Sequence, residues 1–110
     1  MTMNEYQDLA ARTIRKDLTM TQARQHSLFG LCAEVGELLA IFQKELQGHE
    51  ISDAHLKKEL GDVLWMIAEI CTAKRFDMDE VAQLNIDKLK RRYPEGFDPD
   101  RSMHRGEGDI

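Results

Sequence analysis

Apolar residues recur along most of the chain at steps of three and four positions, the spacing of amphipathic helices. They form two long arcs: Leu28, Leu31, Val35, Leu38, Leu39, Phe42 and Leu46 in the first, and Leu56, Leu60, Val63, Leu64, Ile67, Ile70 and Cys71 in the second. The polar link between them, roughly residues 48–53, is short enough for an antiparallel connection. The pattern therefore predicts a long helical hairpin at the centre of the molecule.

Further helices are predicted on either side of this hairpin. Apolar spacing indicates a first helix from about Asn4 to Lys16. The capping-box sequence Thr19-Met-Thr-Gln22 then opens the long helix that ends near Gln47. The third helix should run from about Ala54 to Lys74, with Ser52 or Asp53 as its N-cap, and a fourth should begin at Asp77-Met-Asp-Glu80.

The fourth helix should end at Tyr93-Pro-Glu-Gly, since proline cannot continue a helix and glycine permits the turn. Residues 98–110 are polar and are predicted to form a mobile tail. No linker interrupts residues 1–97, so we predict one all-α, four-helix, bundle-like domain. Its long hairpin exposes apolar surface on both sides, which favours a homo-oligomer: a homodimer or a dimer of dimers.

Composition excludes several classes of protein. The formal charge of −5 argues against a nucleic-acid-binding protein with a broad basic surface. No apolar run approaches the roughly 20 residues needed to span a bilayer, and the N-terminus has no signal-peptide pattern, so a cytoplasmic location is predicted. Cys32 and Cys71 fall on apolar arcs and are expected to be reduced and packed in the core.

Four carboxylates border the two arcs as pairs three residues apart: Glu34 with Glu37, and Glu59 with Asp62. Residues at this spacing are neighbours on a helix surface, and folding the hairpin brings the pairs to a similar level. One such pair alone is ordinarily a solvated helix face, but two pairs beside facing apolar arcs favour a shared site. Clustered like charges oppose folding unless a cation lies among them, and oxygen-only ligands indicate Mg²⁺, with Mn²⁺ as an alternative.

The fourth helix carries Asn85, Lys88 and Arg92 on one face. Lys and Arg can neutralise phosphate oxygens, and Arg can do so with two parallel hydrogen bonds. A basic last turn also complements the helix dipole, and spacing does not separate the two interpretations.

Together, Glu34-x-x-Glu37, Glu59-x-x-Asp62 and Asn85-Ile-Asp-Lys88-Leu-Lys-Arg-Arg92-Tyr-Pro resemble the MazG-like all-α nucleoside triphosphate pyrophosphohydrolases over about residues 27–97. The resemblance implies Mg²⁺-dependent cleavage between the α and β phosphates, giving a nucleoside monophosphate and pyrophosphate. It also implies that the four carboxylates are the metal ligands, that Asn85, Lys88 and Arg92 bind substrate, and that the protein forms a homodimer.

We therefore predict an enzyme that hydrolyses nucleoside or deoxynucleoside triphosphates with metal-activated water, with Glu37 as the catalytic base. The alternatives are a helical module that binds nucleotide or metal without turnover, a dCTP- or phosphoribosyl-ATP-directed pyrophosphohydrolase of the same superfamily, and a purely structural bundle. The sequence contains no P-loop pattern, and its four histidines, His26, His49, His55 and His104, form no recognisable ligand set and are expected at the surface. Trp65 could stack on a nucleobase or pack at a subunit interface, and the interface is favoured.

Overall fold

The computed structural model describes residues 1–109, and within that range it contains five helices and no strand. These are α1 (Met3–Ala11), α2 (Met20–Leu46), α3 (Asp53–Lys74), α4 (Met78–Arg92) and α5 (Pro99–Met103). The all-α prediction is confirmed. None of these helices is both long and apolar enough to cross a membrane.

Local hydrogen bonds fix the ends of the long helices where the sequence predicted them. At the start of α2, the Gln22 amide donates to Thr19 Oγ1 (3.1 Å) and the Thr19 amide donates to Gln22 Oε1 (3.0 Å). At its end Gly48 has a φ of +95°, which glycine adopts without steric cost, and the His49 amide donates to the carbonyl of Lys44 (3.0 Å). Ser52 caps α3.

The predicted end of the first helix, Lys16, is wrong, because α1 ends at Ala11. The Thr13 hydroxyl donates to the carbonyl of Ala10 (2.7 Å), and the Thr13 amide donates to the same carbonyl in an i to i−3 bond (3.0 Å). Such side-chain bonds compete with helical ones and tighten the last turn until the helix stops.

Contacts divide the chain into two compact units, Met1–Met78 and a second that begins at Asp79, and each is described by itself. In the first unit α3 packs against both α1 and α2. Its core contains Ala68, Cys71 and Met78, with Tyr6 and Leu64 among the side chains packed against it. This cluster therefore joins α1, α3 and Met78, the first residue of α4.

A buried glutamine also joins α1 to the segment after α3. Gln7 Nε2 donates to the carbonyl of Phe76 (2.8 Å), and Gln7 Oε1 accepts from the amide of Met78 (2.9 Å). One amide side chain thus satisfies two backbone groups at the end of α3.

One side of α2 lies uncovered in the single chain. Exposure ranges from 43% for Phe42 to 90% for Leu46, with Leu28, Phe29 and Leu39 between. Cys32 is exposed and Cys71 is buried, so the prediction of core packing is wrong for Cys32. The cause is geometric: one neighbouring helix covers only one face of a 27-residue helix.

The second unit contains the rest of α4 and the short α5, which Asp98 caps by accepting from the amides of Asp100 (2.9 Å) and Arg101 (3.4 Å). The rings of Tyr93 and Phe97 lie 5.3 Å apart. Residues 99–103 are thus helical in the segment predicted as a tail, and its mobility stays a prediction.

Candidate metal centre

Three carboxylates from two helices converge beside the α2–α3 contact. α2 contributes Glu34, while α3 contributes Glu59 and Asp62, and one oxygen from each lies within 4.8 Å of the others. Glu59 and Asp62 are neighbours because they are three residues apart on a helix. The short link after Gly48 folds α3 back along α2 and so brings Glu34 to the same level. We call these three residues the carboxylate cluster.

The fourth predicted ligand, Glu37, lies outside this group. It is exposed on α2, one helical turn from Glu34. Its charge is nevertheless close enough to help raise the pKa of Glu34. The structure thus places Glu37 beside the carboxylate cluster, where its predicted roles as ligand and base stay predictions.

The electrostatics of the carboxylate cluster favour a positive charge among its members. Desolvation raises the pKa of the Glu34 carboxyl above its usual value, and the charges of Glu37, Asp62 and Glu59 raise it further. Tyr6 of α1 also borders the cluster: burial raises the pKa of its phenol, and the negative charge of Asp62 adds to that shift. A bound cation would reverse the repulsion that these shifts report.

Within residues 1–109, Glu59 has one paired and one unpaired carboxylate oxygen, a feature that it shares with Glu69 further along α3. Its side chain is 16% exposed, and Oε1 lies 3.0 Å from Nε2 of His55, one turn earlier on α3. Its second oxygen, Oε2, is buried and has no hydrogen-bond partner among the described residues. Leaving such an atom unsatisfied costs about 1–3 kcal/mol, and a hard cation with oxygen ligands would satisfy it. The residues present therefore fit a divalent cation.

His55 was expected at the surface only, and the structure gives it a partner. Its side chain is 58% exposed, yet it contacts a member of the carboxylate cluster. A histidine that hydrogen-bonds a ligating carboxylate fixes the orientation of that carboxylate. The i, i+4 spacing of His55 and Glu59 on one helix is the sequence signal that could have found this contact.

A second polar contact lies two turns further along α3, and the sequence analysis missed it. Glu69 is only 2% exposed, and its Oε1 lies 2.6 Å from Nδ1 of His26 on α2. Between this level and the carboxylate cluster, Gly30 of α2 lies directly against Met66 of α3, and a Cβ at position 30 would overlap the Met66 sulfur. Glycine at this position lets the two helices approach closely.

The predicted substrate residues Asn85, Lys88 and Arg92 lie on α4, in the second compact unit. Asn85 is exposed and Lys88 is half-buried. The Arg92 side chain is 13% exposed, and its Nε donates to both carboxylate oxygens of Asp109 (2.7 and 2.8 Å). Their binding roles stay predictions.

Trp65 donates from Nε1 to the hydroxyl of Thr13 (2.9 Å). This bond ties α3 to the turn after α1. The favoured role of Trp65 at a subunit interface stays a prediction.

Comparison with known proteins is consistent with the carboxylate spacing. The model of the MazG nucleotide pyrophosphohydrolase domain matches residues 22–97, which include every predicted site residue. No curated protein and no solved structure matched the chain. The resemblance that the sequence indicated is confirmed, and the chain belongs to the MazG nucleotide pyrophosphohydrolase domain family.

Proposed function

We propose that this protein hydrolyses nucleoside or deoxynucleoside triphosphates to the monophosphate and pyrophosphate in a Mg²⁺-dependent reaction. Family membership supports nucleotide pyrophosphohydrolysis in general. The observation that carries the finer proposal is the carboxylate cluster, whose three oxygens lie within 4.8 Å of one another. Such a set of hard oxygen donors is suited to Mg²⁺, with Mn²⁺ as the alternative.

In this proposal Glu34, Glu59 and Asp62 hold the cation, and Glu37, one helical turn from Glu34, serves as a fourth ligand or as the base. Glu59 Oε2, which has no hydrogen-bond partner among residues 1–109, would be one of the oxygens available to hold the cation. His55 holds the other oxygen of Glu59 and keeps the carboxylate oriented. The bound cation supplies positive charge to phosphate oxygens and lowers the pKa of the attacking water.

Glu37 is the proposed general base. It is exposed and outside the group of three oxygens, so its carboxylate is available to accept the proton of the attacking water. The oxygen of water forms a bond to phosphorus while the bond to the oxygen bridging the α and β phosphates breaks. Pyrophosphate leaves with the electron pair, and Glu37 holds the proton.

The residues of α4 complete the proposal on the substrate side. Lys88 and Arg92 would offset the charge of the leaving pyrophosphate, and Asn85 would hydrogen-bond phosphate or sugar. The ion pair between Arg92 Nε and the Asp109 carboxylate (2.7 Å) supports the proposal that this guanidinium binds an anion.

The protein is further proposed to act as a homodimer or a dimer of dimers in the cytoplasm. The exposed apolar side chains of α2, from Leu28 to Leu46, supply a surface that a second copy would cover. Sedimentation equilibrium should give at least twice the monomer mass of 12.7 kDa.

Product analysis tests the reaction. A panel of canonical and modified nucleoside triphosphates, including dCTP, together with phosphoribosyl-ATP, is incubated with the protein and Mg²⁺, and monophosphate and pyrophosphate are separated and counted. We expect equal amounts of the two products from the preferred substrate, and a loss of about 10²–10⁴-fold in turnover for Glu37→Gln. Release of orthophosphate would contradict the proposed bond cleavage, and no turnover in folded, metal-loaded protein would favour a non-catalytic nucleotide-binding module.

A further inference from the structure

A second concentration of charge lies in the C-terminal unit and is basic. An open cavity of about 390 Å³ is lined by five basic side chains: Arg91, Arg92, Arg101, His104 and Arg105. α4 contributes the first two, α5 contributes Arg101, and the others follow α5 in the chain. We call this the arginine cavity.

The arginine cavity is positive in a protein that is negative as a whole. Its four arginines face two carboxylates, Glu107 and Asp109, which leaves two positive charges with His104 neutral, against −5 for the chain. Arg91, Arg101 and Arg105 form no ion pair with any described residue, whereas His104 lies 3.1 Å from a carboxylate oxygen of Asp100. Three guanidinium groups are therefore available to a further anion.

The fourth guanidinium shows what kind of ligand the arginine cavity accepts. Arg92 and Asp109 are both largely buried, at 13% and 22% exposure, and both carboxylate oxygens accept from Nε. Gly108 has a φ of +78°, a conformation that favours glycine, and this turn directs Asp109 toward Arg92. Gly108 and Asp109 thus place a carboxylate against the basic side chains.

We propose that the arginine cavity binds a polyphosphate, either inorganic or carried by a nucleoside, and that Asp109 competes with it for Arg92. Several arginines converging on a small volume suit an anion with many oxygens and high charge density. The net negative charge of the chain disfavours an extended nucleic acid and leaves a small anion as the ligand. The choice of polyphosphate rests on the proposed function, whereas binding in the arginine cavity requires neither turnover nor the carboxylate cluster.

Binding without a divalent cation separates the arginine cavity from the carboxylate cluster. Inorganic pyrophosphate, triphosphate and a nucleoside triphosphate are titrated calorimetrically into the full chain in the presence of EDTA. We expect saturable binding that weakens with salt and falls about tenfold for Arg105→Gln and for Arg101→Gln. Lys90→Gln, on α4 but outside the cavity lining, is the matched control and should bind as the wild type does.

Asp109→Asn tests the competition. It replaces a charged hydrogen-bond acceptor with a neutral one, so the internal competitor weakens and polyphosphate should bind about fivefold more tightly. Circular dichroism confirms that each variant keeps its helix content. Unchanged affinity in Asp109→Asn would overturn the competition. The absence of binding in EDTA, or wild-type affinity in both Arg101→Gln and Arg105→Gln, would overturn the site.

The relative affinities of triphosphate, nucleoside triphosphate and an oligonucleotide identify the class of ligand. Equal affinity for triphosphate and nucleoside triphosphate would show that the cavity recognises the phosphates alone. Tighter binding of the nucleoside triphosphate would show that it recognises the nucleoside as well. An oligonucleotide that binds more tightly than either would overturn the small-anion assignment. Hydrolysis without binding in EDTA would refute only this inference, and binding without hydrolysis in Mg²⁺ would refute only the proposed function.

Discussion

The carboxylate cluster and the arginine cavity have opposite charge and are built in different ways. The carboxylate cluster lies on two long packed helices, α2 and α3, whose ends are fixed by caps. The arginine cavity is formed by the end of α4, a five-residue helix and the last turn of the described chain. Rigid elements position side chains more precisely than loops do, so the carboxylate cluster is suited to chemistry.

The two regions also differ in how their charges are satisfied. Glu59 Oε2 in the carboxylate cluster is buried without a partner among the described residues, whereas Arg92 in the arginine cavity already binds Asp109. The proposed cation would supply a partner at the carboxylate cluster, whereas the arginine cavity contains a carboxylate of its own. A bound cation should therefore raise the free energy of unfolding of the helices that carry the carboxylate cluster more than it affects the arginine cavity.

The largest expected stability effect is stabilisation by Mg²⁺. At a Mg²⁺ concentration of about 100 times the dissociation constant, the free energy of unfolding should rise by about 2.7 kcal/mol. Differential scanning calorimetry with Mg²⁺ and with EDTA measures it. Glu59→Gln should lose the increment. Glu45→Gln, an exposed glutamate on α2, the helix that carries Glu34, should keep it.

The same increment should depend on pH in a defined direction. The raised pKa of Glu34 means that the folded, metal-free protein binds this proton more tightly than the unfolded chain does. Its stability therefore falls as pH rises from the ordinary carboxyl pKa through the raised one. Since Mg²⁺ competes with the proton, the Mg²⁺ increment should grow over that pH range, and an increment that shrank would contradict the metal site.

A mutation at the contact between α2 and α3 should affect the carboxylate cluster and leave the arginine cavity unchanged. Gly30→Ala places a methyl group against the buried Met66 sulfur and should lower the free energy of unfolding by about 1–3 kcal/mol. It should also weaken Mg²⁺ binding, because α2 moves away from α3, and leave polyphosphate binding in EDTA unchanged. Gly36→Ala is the matched control on α2: nothing lies near its Cβ, and it should stabilise the helix by about 0.5–1 kcal/mol. Equal melting temperatures for Gly30→Ala and Gly36→Ala would contradict the close approach of the helices at Gly30.

The smallest expected effect concerns the buried contact of Glu69. His26→Ala leaves a carboxylate at 2% exposure without its partner and should cost about 1 kcal/mol, a low value because His26 is itself 56% exposed. His49→Ala, an exposed histidine in the α2–α3 link, should melt like the wild type. Denaturant unfolding measures both, and the double variant His26→Ala/Glu69→Leu should recover most of the loss because no charge is left buried.

The periodic parts of the molecule could be predicted from sequence. Helix spacing and the Thr19 capping box predicted α2 and α3, and the i, i+3 pairs anticipated that Glu34, Glu59 and Asp62 would lie together. These features depend on local geometry that repeats every turn. Local competition can still change a boundary, as the Thr13 bond that ends α1 shows.

The features that sequence analysis missed depend on contacts between distant residues. Glu69 meets His26 and Gln7 meets Phe76 only once α3 is packed between its neighbours, and neither pair has a characteristic spacing. The arginine cavity depends on turns in a polar segment, where periodicity gives no signal. The apolar surface left uncovered on the hairpin was predicted, but the exposure of Cys32 was not, because periodicity does not show which side of an apolar arc its neighbour covers.

We propose above all that the carboxylate cluster makes this chain a Mg²⁺-dependent pyrophosphohydrolase. The most direct test is pyrophosphate release from the preferred nucleoside triphosphate, measured against Mg²⁺ concentration for the wild type, Glu59→Gln and the control Glu45→Gln. We expect the wild type and Glu45→Gln to show the same saturable Mg²⁺ dependence, and Glu59→Gln to lose activity by at least about 10²-fold at every concentration. Full turnover by Glu59→Gln, or turnover by the wild type in EDTA, would contradict the claim.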